Sequence, residues 1–474
     1  MSDDPRYRQL ADDLEGAIAA GRLVPGTRLP SIREFRETHH ISVTTAVQAY
    51  RTLEERGLVD ARPKSGYFVA PRRATLRVPA LRTFTDAPKP VEVHALFLEV
   101  QRKLATPGLI SLSSSLPDPR FFPNERLQRV LASVVRRHPL LPGLYAEGQG
   151  LERLRIDLSR RMGEHGCFVD PEEILITNGA IEATNLALRA VAKPGECVAI
   201  ESPTYYGLLE VLEGYGLRAV EIPTSATEGM SLADLVAALD RTPGIKAVLT
   251  IPNFQNPSGA VMPDAAKEAM VRLVTERGIT LIEDDVYGDL HHGKLRPRPM
   301  KAWDTAGHVI HCSSFSKTVA PGFRIGWMAG GRHQEQLRAL KFLTTIGTAE
   351  IAQHALSDYM RRGSPAFHLR RLRTILASQV EQFADEVRRH FPAECALAVP
   401  VGGYFLWVEL PPGVDSMTLF NAAIDKGLAI QPGAMFASRN RFGHCIRLSA
   451  GLEWDEERVR GVRALGALVH ALRR

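Results

Sequence analysis

The sequence has no apolar run approaching the roughly 20 residues that span a bilayer, so no membrane partner is expected. Its first residues, Met1-Ser2-Asp3-Asp4-Pro5, are acidic and carry no apolar stretch, which predicts no secretory leader. Cysteine is scarce: five residues, at positions 167, 197, 312, 395 and 445. That odd, scattered set offers neither a disulfide framework nor metal-ligand spacing, and it fits a reducing, cytoplasmic setting. The pairs His39-His40 and His291-His292 lack metal-ligand companions and read as solvated or loop histidines. Charge of one sign is not in large excess, at 59 Lys/Arg, 53 Asp/Glu and net +6. Such a balance permits a nucleic-acid partner without requiring one. Through Ala80 there are thirteen Lys/Arg and ten Asp/Glu, a mild bias and not a basic arm. What is present is length: 474 residues exceed one core and predict two or three domains.

Residues 6–20 place Leu10, Leu14 and Ile18 at four-residue spacing, which predicts an amphipathic helix closed by Gly21. After a turn at Pro25-Gly26, Ser31 and Glu34 form a capping-box pattern and open a second helix. A third opens at Ser42 and runs through Val43, Val47, Tyr50 and Leu53 to about Gly57. Residues 58–60 and 67–69 read as short strands around the basic turn Arg62-Pro63-Lys64-Ser65-Gly66. Three helices and a hairpin predict a winged helix-turn-helix over 1–70, with its third helix in the major groove of a double-stranded DNA operator.

The run from Gly21 to Phe35, then Ile41-Ser42-Val43-Thr44-Thr45-Ala46-Val47 and Ser65-Gly66-Tyr67-Phe68-Val69, resembles the GntR family of bacterial regulators. The resemblance implies phosphate contacts from Arg28 and Arg33. It implies a groove-facing Ser42, Thr44, Thr45 and Gln48, with Lys64 and Gly66 in the wing. The family often has arginine directly after the serine that opens the recognition helix. Val43 stands there, so base reading falls to Thr44, Thr45 and Gln48.

Residues 71–91 contain Pro71, Pro79, Pro88 and Pro90 and show no apolar periodicity, which predicts a partly extended linker. Over 92–474, β-branched runs at 173–177, 197–200, 218–222, 247–251, 280–282 and 308–312 alternate with helical patterns such as 181–192 and 264–277. Alternation of this kind predicts an α/β domain with a mostly parallel central sheet. A smaller C-terminal subdomain is expected over about 365–474.

In such sheets ligands sit beyond the carboxyl ends of the strands. The residues there are Asn178-Gly179-Ala180, Tyr205 in Glu201-Ser202-Pro203-Thr204-Tyr205-Tyr206, Asn256 in Pro252-Asn253-Phe254-Gln255-Asn256, Glu283-Asp284-Asp285-Val286-Tyr287, and Ser313-Ser314-Phe315-Ser316-Lys317 with Arg324 seven residues on. Each alone is a weak signal: Tyr205 could be core, and Lys317 a surface charge. Adjacent acids after a buried strand need at least one positive partner. Together the groups meet the needs of pyridoxal 5'-phosphate (PLP): a carboxylate for the pyridine nitrogen, neutral donors for the ring oxygen, N–H groups, hydroxyls and an arginine for the phosphate, and a lysine for the aldehyde.

From about Ser111 onward the chain resembles the fold-type I, aspartate-aminotransferase-like PLP enzymes, and with its head it resembles the MocR subfamily of bacterial regulators. The resemblance implies that Lys317 forms the Schiff base and Asp284 pairs with the pyridine nitrogen. Pattern alone leaves Asp285 open, although the Asp-x-x-Tyr spacing favours Asp284. Tyr287 and Asn256 would bond the ring oxygen and Tyr205 would stack on the ring. Ser314, Arg324 and the N–H groups of Gly179, Ala180 and Ile181 would hold the phosphate. Many relatives have a polar side chain after the helix-start glycine; Ala180 and Ile181 leave only backbone donors. Tyr145 would reach the phosphate of a partner subunit, which implies a homodimer. Arg447 would bind an amino acid's carboxylate bidentately, with Asn256 beside it.

These readings imply a PLP-dependent DNA-binding transcriptional regulator. Its operator binding would respond to an amino acid forming an external aldimine, or to PLP itself. The alternative is an aminotransferase that moves an amino group to a 2-oxo acid, its head being secondary. A purely structural PLP is a third reading. The basic run Lys294-Leu295-Arg296-Pro297-Arg298 reads as a solvated loop in preference to a DNA contact.

Overall fold

The computed structural model describes residues 5–473 other than 57, 63, 64, 70–75, 86, 147, 363, 364 and 440. The chain divides into two compact units, Met1–Thr75 and Leu76–Arg474.

In the first unit, helices Arg6–Ala19, Ile32–His39 and Val43–Glu55 precede the antiparallel strands Val59–Arg62 and Gly66–Val69. The capping box forms as its residues predict: Ser31 Oγ accepts from Glu34 N at 3.2 Å, and Glu34 Oε2 accepts from Ser31 N at 2.7 Å. The apolar faces meet in a core that includes Leu10, Ile18, Phe35, Tyr50, Leu53 and Val69. The buried Tyr50 hydroxyl donates to Pro30 O at 2.7 Å, as burial of a polar group requires. Leu29 N donates to Tyr67 O, and Val69 N to Thr27 O, which adds residues 27–29 to the wing.

The second unit is built on a nine-stranded sheet. Strands Arg218–Ser225, Cys197–Ser202, Ile245–Thr250, Thr280–Asp284 and Val309–Ser314 lie side by side and parallel. Gly326–Ala329 runs antiparallel beside the last of these, and Ile174–Thr177 antiparallel to it in turn. Ile174–Thr177 therefore points the same way as the five. Helices pack on the sheet, so its strands are buried almost throughout and read as near-continuous apolar runs. The chain segments after Thr177, Ser202, Thr250, Asp284 and Ser314 thus leave the sheet on one side.

A smaller antiparallel sheet has the order Ala396–Ala398, Phe405–Glu409, Cys445–Ser449, Gln431–Pro432, with helices Pro365–His390 and Glu456–Leu472 packed against each other. An earlier strand, Ile110–Ser111, forms a separate parallel pair with Leu428–Ala429, and Ser449 N donates to Leu112 O at 2.9 Å, which ties the pair to the smaller sheet. The proline-containing stretch spans both sheets. Arg77 bridges to Ala396 of the smaller sheet, while Lys89 and Pro90 pair with Ala219 and Arg218 of the larger.

One expectation is corrected. Arg296 does not lie in a solvated loop: its side chain is 10% exposed and ion-paired with Asp285 and Asp289. His291 and His292 lie in a loop, where they bond the carbonyls of Gly293 and Gly403. A long-range charge partner and a carbonyl from a distant turn leave no mark in local sequence. All five cysteines are buried and free. No helix among the described residues is long and apolar enough to cross a membrane.

Candidate active site

At the carboxyl ends of the parallel strands lies a cavity of about 320 Å³. Ala180, Ile181, Tyr205, Asp284, Tyr287, Ser314, Lys317 and Arg324 line it, together with Ser115, Leu116 and Ser316. From Ala180 to Arg324, 144 residues of chain, the large sheet brings these side chains together, because they lie in the segments beyond its strand ends.

Lys317 leaves strand Val309–Ser314 by a short turn, and its Nζ donates to Ser115 O at 2.8 Å. Burial, then the positive charges of Arg447 and Arg324, push its pKa down to about 8, and Asp284 opposes them. The free amine thus gives up its proton more readily than an exposed lysine does.

The two acids after strand Thr280–Asp284 face different surroundings. Asp285 is saturated: its Oδ1 accepts from Asn253 Nδ2 at 2.8 Å and its Oδ2 from Arg296 Nη2 at 2.5 Å. Asp284 faces the cavity, and its Oδ1 is buried with no hydrogen-bond partner among the described residues. Burial, and then the neighbouring Asp285 charge, raise its pKa to about 7. A buried carboxyl oxygen without a donor is costly unless a donor or cation comes to it. The geometry distinguishes what the pattern left open, and Asp284 is the acid in the cavity.

Across the cavity, helix Ala180–Val191 starts at Gly179, whose φ is +87°. The free N–H groups of a helix start attract an anion. Arg324, itself at φ +52°, reaches this turn: Nη1 donates to Ser316 Oγ at 2.8 Å and Nη2 to Asn178 O at 3.2 Å. A Cβ on Gly179 would collide with Arg324 Nη2, so glycine is what lets the guanidinium approach. Ser314 is buried here and accepts from Ser316 N at 3.3 Å.

Behind the cavity wall Arg447 is fully buried in strand Cys445–Ser449. Its Nη1 donates to Asn256 Oδ1 at 3.0 Å, and Asn256 Nδ2 donates to Tyr287 Oη at 3.3 Å. Its Nη2 donates to Ser113 O at 3.0 Å and Ser115 Oγ at 3.1 Å, while its Nε is unpartnered among the described residues. Phe405 lies under the guanidinium, 4.3 Å from ring centroid to Cζ. Tyr404 Oη also donates to Ser115 O, at 2.8 Å. The segment 113–116 and Ser316 are thus parts of the site that sequence reading did not single out. A short serine run before Leu116-Pro117 was the only local sign.

Tyr145 stands apart: it is 79% exposed and does not line this cavity. In the head, Ser42 caps its helix by accepting from Thr45 N at 3.0 Å, and the Ser42 and Thr45 hydroxyls share a 2.8 Å hydrogen bond. Thr44 is exposed and Gln48 half-buried beside them. Arg28 and Arg33 are exposed; Arg33 pairs with Glu37 at 3.1 Å, and Arg28 lies along the wing beside Gly66. Lys64 lies outside the described residues.

The residues fit PLP on two observations. An orphaned carboxyl oxygen waits where a protonated ring nitrogen would donate, and a glycine-lined helix start with an arginine and two serines suits a phosphate. Comparison with known proteins agrees. Residues 143–462 match the aminotransferase class I and II family, and residues 6–69 match the bacterial regulatory proteins of the gntR family. The chain is 38% identical to the uncharacterized HTH-type transcriptional regulator YdcR of Escherichia coli (strain K12), over 98% of this chain and 99% of that protein. It is 30% identical to the 2-aminoadipate transaminase of Thermus thermophilus, over 79% of this chain and 93% of that protein. Among solved structures, LysN, the α-aminoadipate aminotransferase of Thermus thermophilus complexed with N-(5'-phosphopyridoxyl)-L-leucine, superposes with a TM-score of 0.73 at 28% identity, covering 79% of this chain and 94% of that one. The kynurenine aminotransferase of Pyrococcus horikoshii gives 0.74 at 28%, covering 80% and 94%.

Proposed function

The chain belongs to the class I and II aminotransferase family, joined to a gntR-family head in the manner of MocR-type regulators, and from that premise we propose that it senses an amino acid at Lys317 and answers by changing its grip on an operator. It is a transcriptional regulator with a PLP-dependent domain. Bound at Lys317, PLP supplies an electron sink that acidifies the Cα–H of an amino acid. Asp284 keeps the ring nitrogen protonated, Asn256 and Tyr287 donate to the ring oxygen, and Tyr205 covers the ring. Gly179, Ala180, Ile181, Ser314 and Arg324 hold the phosphate.

One observation carries the sensing reading. Arg447, the partner for an amino acid's carboxylate, is fastened to Ser113 O and Ser115 Oγ, and the free amine of Lys317 donates to Ser115 O. A carboxylate on Arg447 would displace Ser113 and Ser115 there, while the amino acid's amine, in taking the cofactor from Lys317, would free Nζ to donate to Ser115 O. Its arrival would thus change both ties of that segment in one event. The segment belongs to the smaller layer through Ile110–Ser111, and the 76–90 stretch spans the two layers, so a shift between them pulls on the chain leading to the head. Ligand and operator are linked only if the ligand prefers one of the two arrangements. Gel shifts with wild type and Lys317→Ala test the reading: the variant is expected to lose the amino-acid response. Equal operator affinity and equal response in both would remove covalent sensing.

The second reading, an aminotransferase, is favoured by the 30% identity to the 2-aminoadipate transaminase of Thermus thermophilus over 79% of this chain. Lys317, freed from the cofactor, would be the base that moves a proton at Cα. Accumulation of 2-oxo acid from a bound amino acid is its measure.

We place the protein in the cytoplasm as a homodimer. Leu140, Leu144, Tyr145 and Leu343 are 76%, 65%, 79% and 76% exposed, a set that a second copy would cover while Tyr145 enters the partner's phosphate site. On DNA, Arg28 and Arg33 meet phosphates, with Lys64 and Gly66 in the wing. Thr44 and Gln48 lead the base contacts, with Ser42 and Thr45 tied into the helix cap. Val43, 50% exposed at the helix start, suits a thymine methyl.

A further inference from the structure

Behind the Asp284 wall lies a buried chain of charges that the cofactor contacts do not use. Asp285 accepts from Arg296 Nη2 at 2.5 Å, and Arg296 Nε donates to Asp289 Oδ1 at 2.9 Å. Asp289 accepts in turn from Arg161 Nη2 at 2.6 Å. On the other side Asn253 bridges Asp285 to Lys267, whose Nζ donates to Asn253 Oδ1 at 2.7 Å. Asn253, Lys267 and Asp285 are each at most 2% exposed. A Cβ at Gly288 would sit 2.5 Å from Asp285 Oδ1 and 2.7 Å from Arg296 Nη2, so the chain packs closely over the pair.

Buried ion pairs contribute little net stability, because desolvation offsets their attraction. Their position is the informative feature. Asp285 directly follows Asp284, and Asn253 sits three residues before Asn256. The network therefore fastens both loops whose neighbouring residues face the cofactor ring, and it places one compensated anion beside a cavity carboxyl.

We propose that Arg296 and Asp285 form a positioning pair: the guanidinium neutralises Asp285, so that Asp284 alone presents negative charge to the cofactor's ring nitrogen. This rests on the reading of Asp284 as the partner of that nitrogen. Removing the Arg296 charge leaves Asp285 as a second anion and favours the more positive, protonated form of the bound chromophore. Removing the Asp285 charge leaves Arg296 with Asp289 alone, which Arg161 also shares, so the network gains net positive charge and disfavours it. Other groups facing Asp284, namely Lys317, His311, Glu201, Tyr205, Tyr287 and Cys312, are unchanged by either substitution.

The test is the pH midpoint of the visible band of the PLP-loaded protein in wild type, Arg296→Met, Arg296→Lys, Asp285→Asn and the Asp285→Asn/Arg296→Met double variant, with melting temperature followed in parallel. Arg296→Met is expected to raise the midpoint by about half to one unit, and Asp285→Asn to lower it by a similar amount. Arg296→Lys and the double variant should return close to wild type. If Arg296→Met does not fold, the fall in Asp285→Asn and its reversal in the double variant carry the result. Midpoints that stay at the wild-type value while melting temperatures drop would leave the pair a structural role only and overturn the proposal. A wild-type protein with no visible band after adding PLP would instead remove the cofactor reading on which the pair depends.

Discussion

Asp284 shows what a buried carboxyl facing a cavity costs the folded chain. Its pKa is about 7 in the folded chain, against an ordinary value near 4. Between those values the folded state holds a proton that the unfolded state has released. Its contribution to stability therefore falls as pH rises from about 4 to about 7, and stays lost above that. Without PLP, Asp284→Asn should melt higher than wild type above pH 7, by up to a few kcal/mol, the difference vanishing near pH 4. The same variant should hold PLP more weakly. Thermal melts across pH check the first statement; an unchanged pH dependence would contradict it. Gly179→Ala should lower PLP affinity about tenfold or more, because its Cβ meets the Arg324 guanidinium and φ +87° strains any other residue. Cofactor titration of the folded variant measures this.

At this scale much of the site was legible. Asp284, Lys317 and Arg324 stand at fixed spacings after β-branched runs, and the structure puts all three around one cavity. Ser115 was not legible, since its role lies in a carbonyl that accepts from Lys317 across 202 residues. Nor was Arg296, because a local run of basic residues says nothing about the acids it meets in space.

Among elements, the parallel strands were readable because burial on both faces leaves them apolar along their length. The smaller layer was harder. Its pairs Ile110–Ser111 with Leu428–Ala429 are two residues long and exist only by virtue of each other. The stretch after Thr75 reads as a linker by its prolines, yet its contacts with two sheets come from the partners it finds there. Arg82 pairs with Glu409, at the end of the strand whose Trp407 lies opposite Arg447 in register. Glu409→Gln should therefore loosen that anchor: tryptic cleavage after Arg82 should quicken severalfold, and the operator response to amino acid should weaken while the amino acid still shifts the visible band. An unchanged operator response would show that this anchor does not carry the signal.

The whole molecule is expected to work as a pair. If Tyr145 serves the partner's phosphate, a Lys317→Ala chain and a Tyr145→Ala chain complement each other. Their hybrid dimer has one site with both defects and one intact. Equal co-expression should restore about a quarter of wild-type sites, from a mixture in which half the dimers are hybrid. Titratable PLP in the mixture, compared with each variant alone, reads this out; a mixture no better than the average of its parts would place Tyr145 outside the partner's site.

The central claim, that an amino acid displaces Lys317 from the cofactor and is read at the operator, is tested most directly by the visible spectrum of the purified PLP-loaded protein. Amino acids are added one at a time, 2-oxo acid is assayed, and operator binding is measured in the same samples. The account predicts that one amino acid shifts the band persistently, releases no 2-oxo acid, and changes operator affinity over the same concentration range. A protein with no visible band after adding PLP, or one whose operator affinity is indifferent to every amino acid that shifts the band, would contradict it.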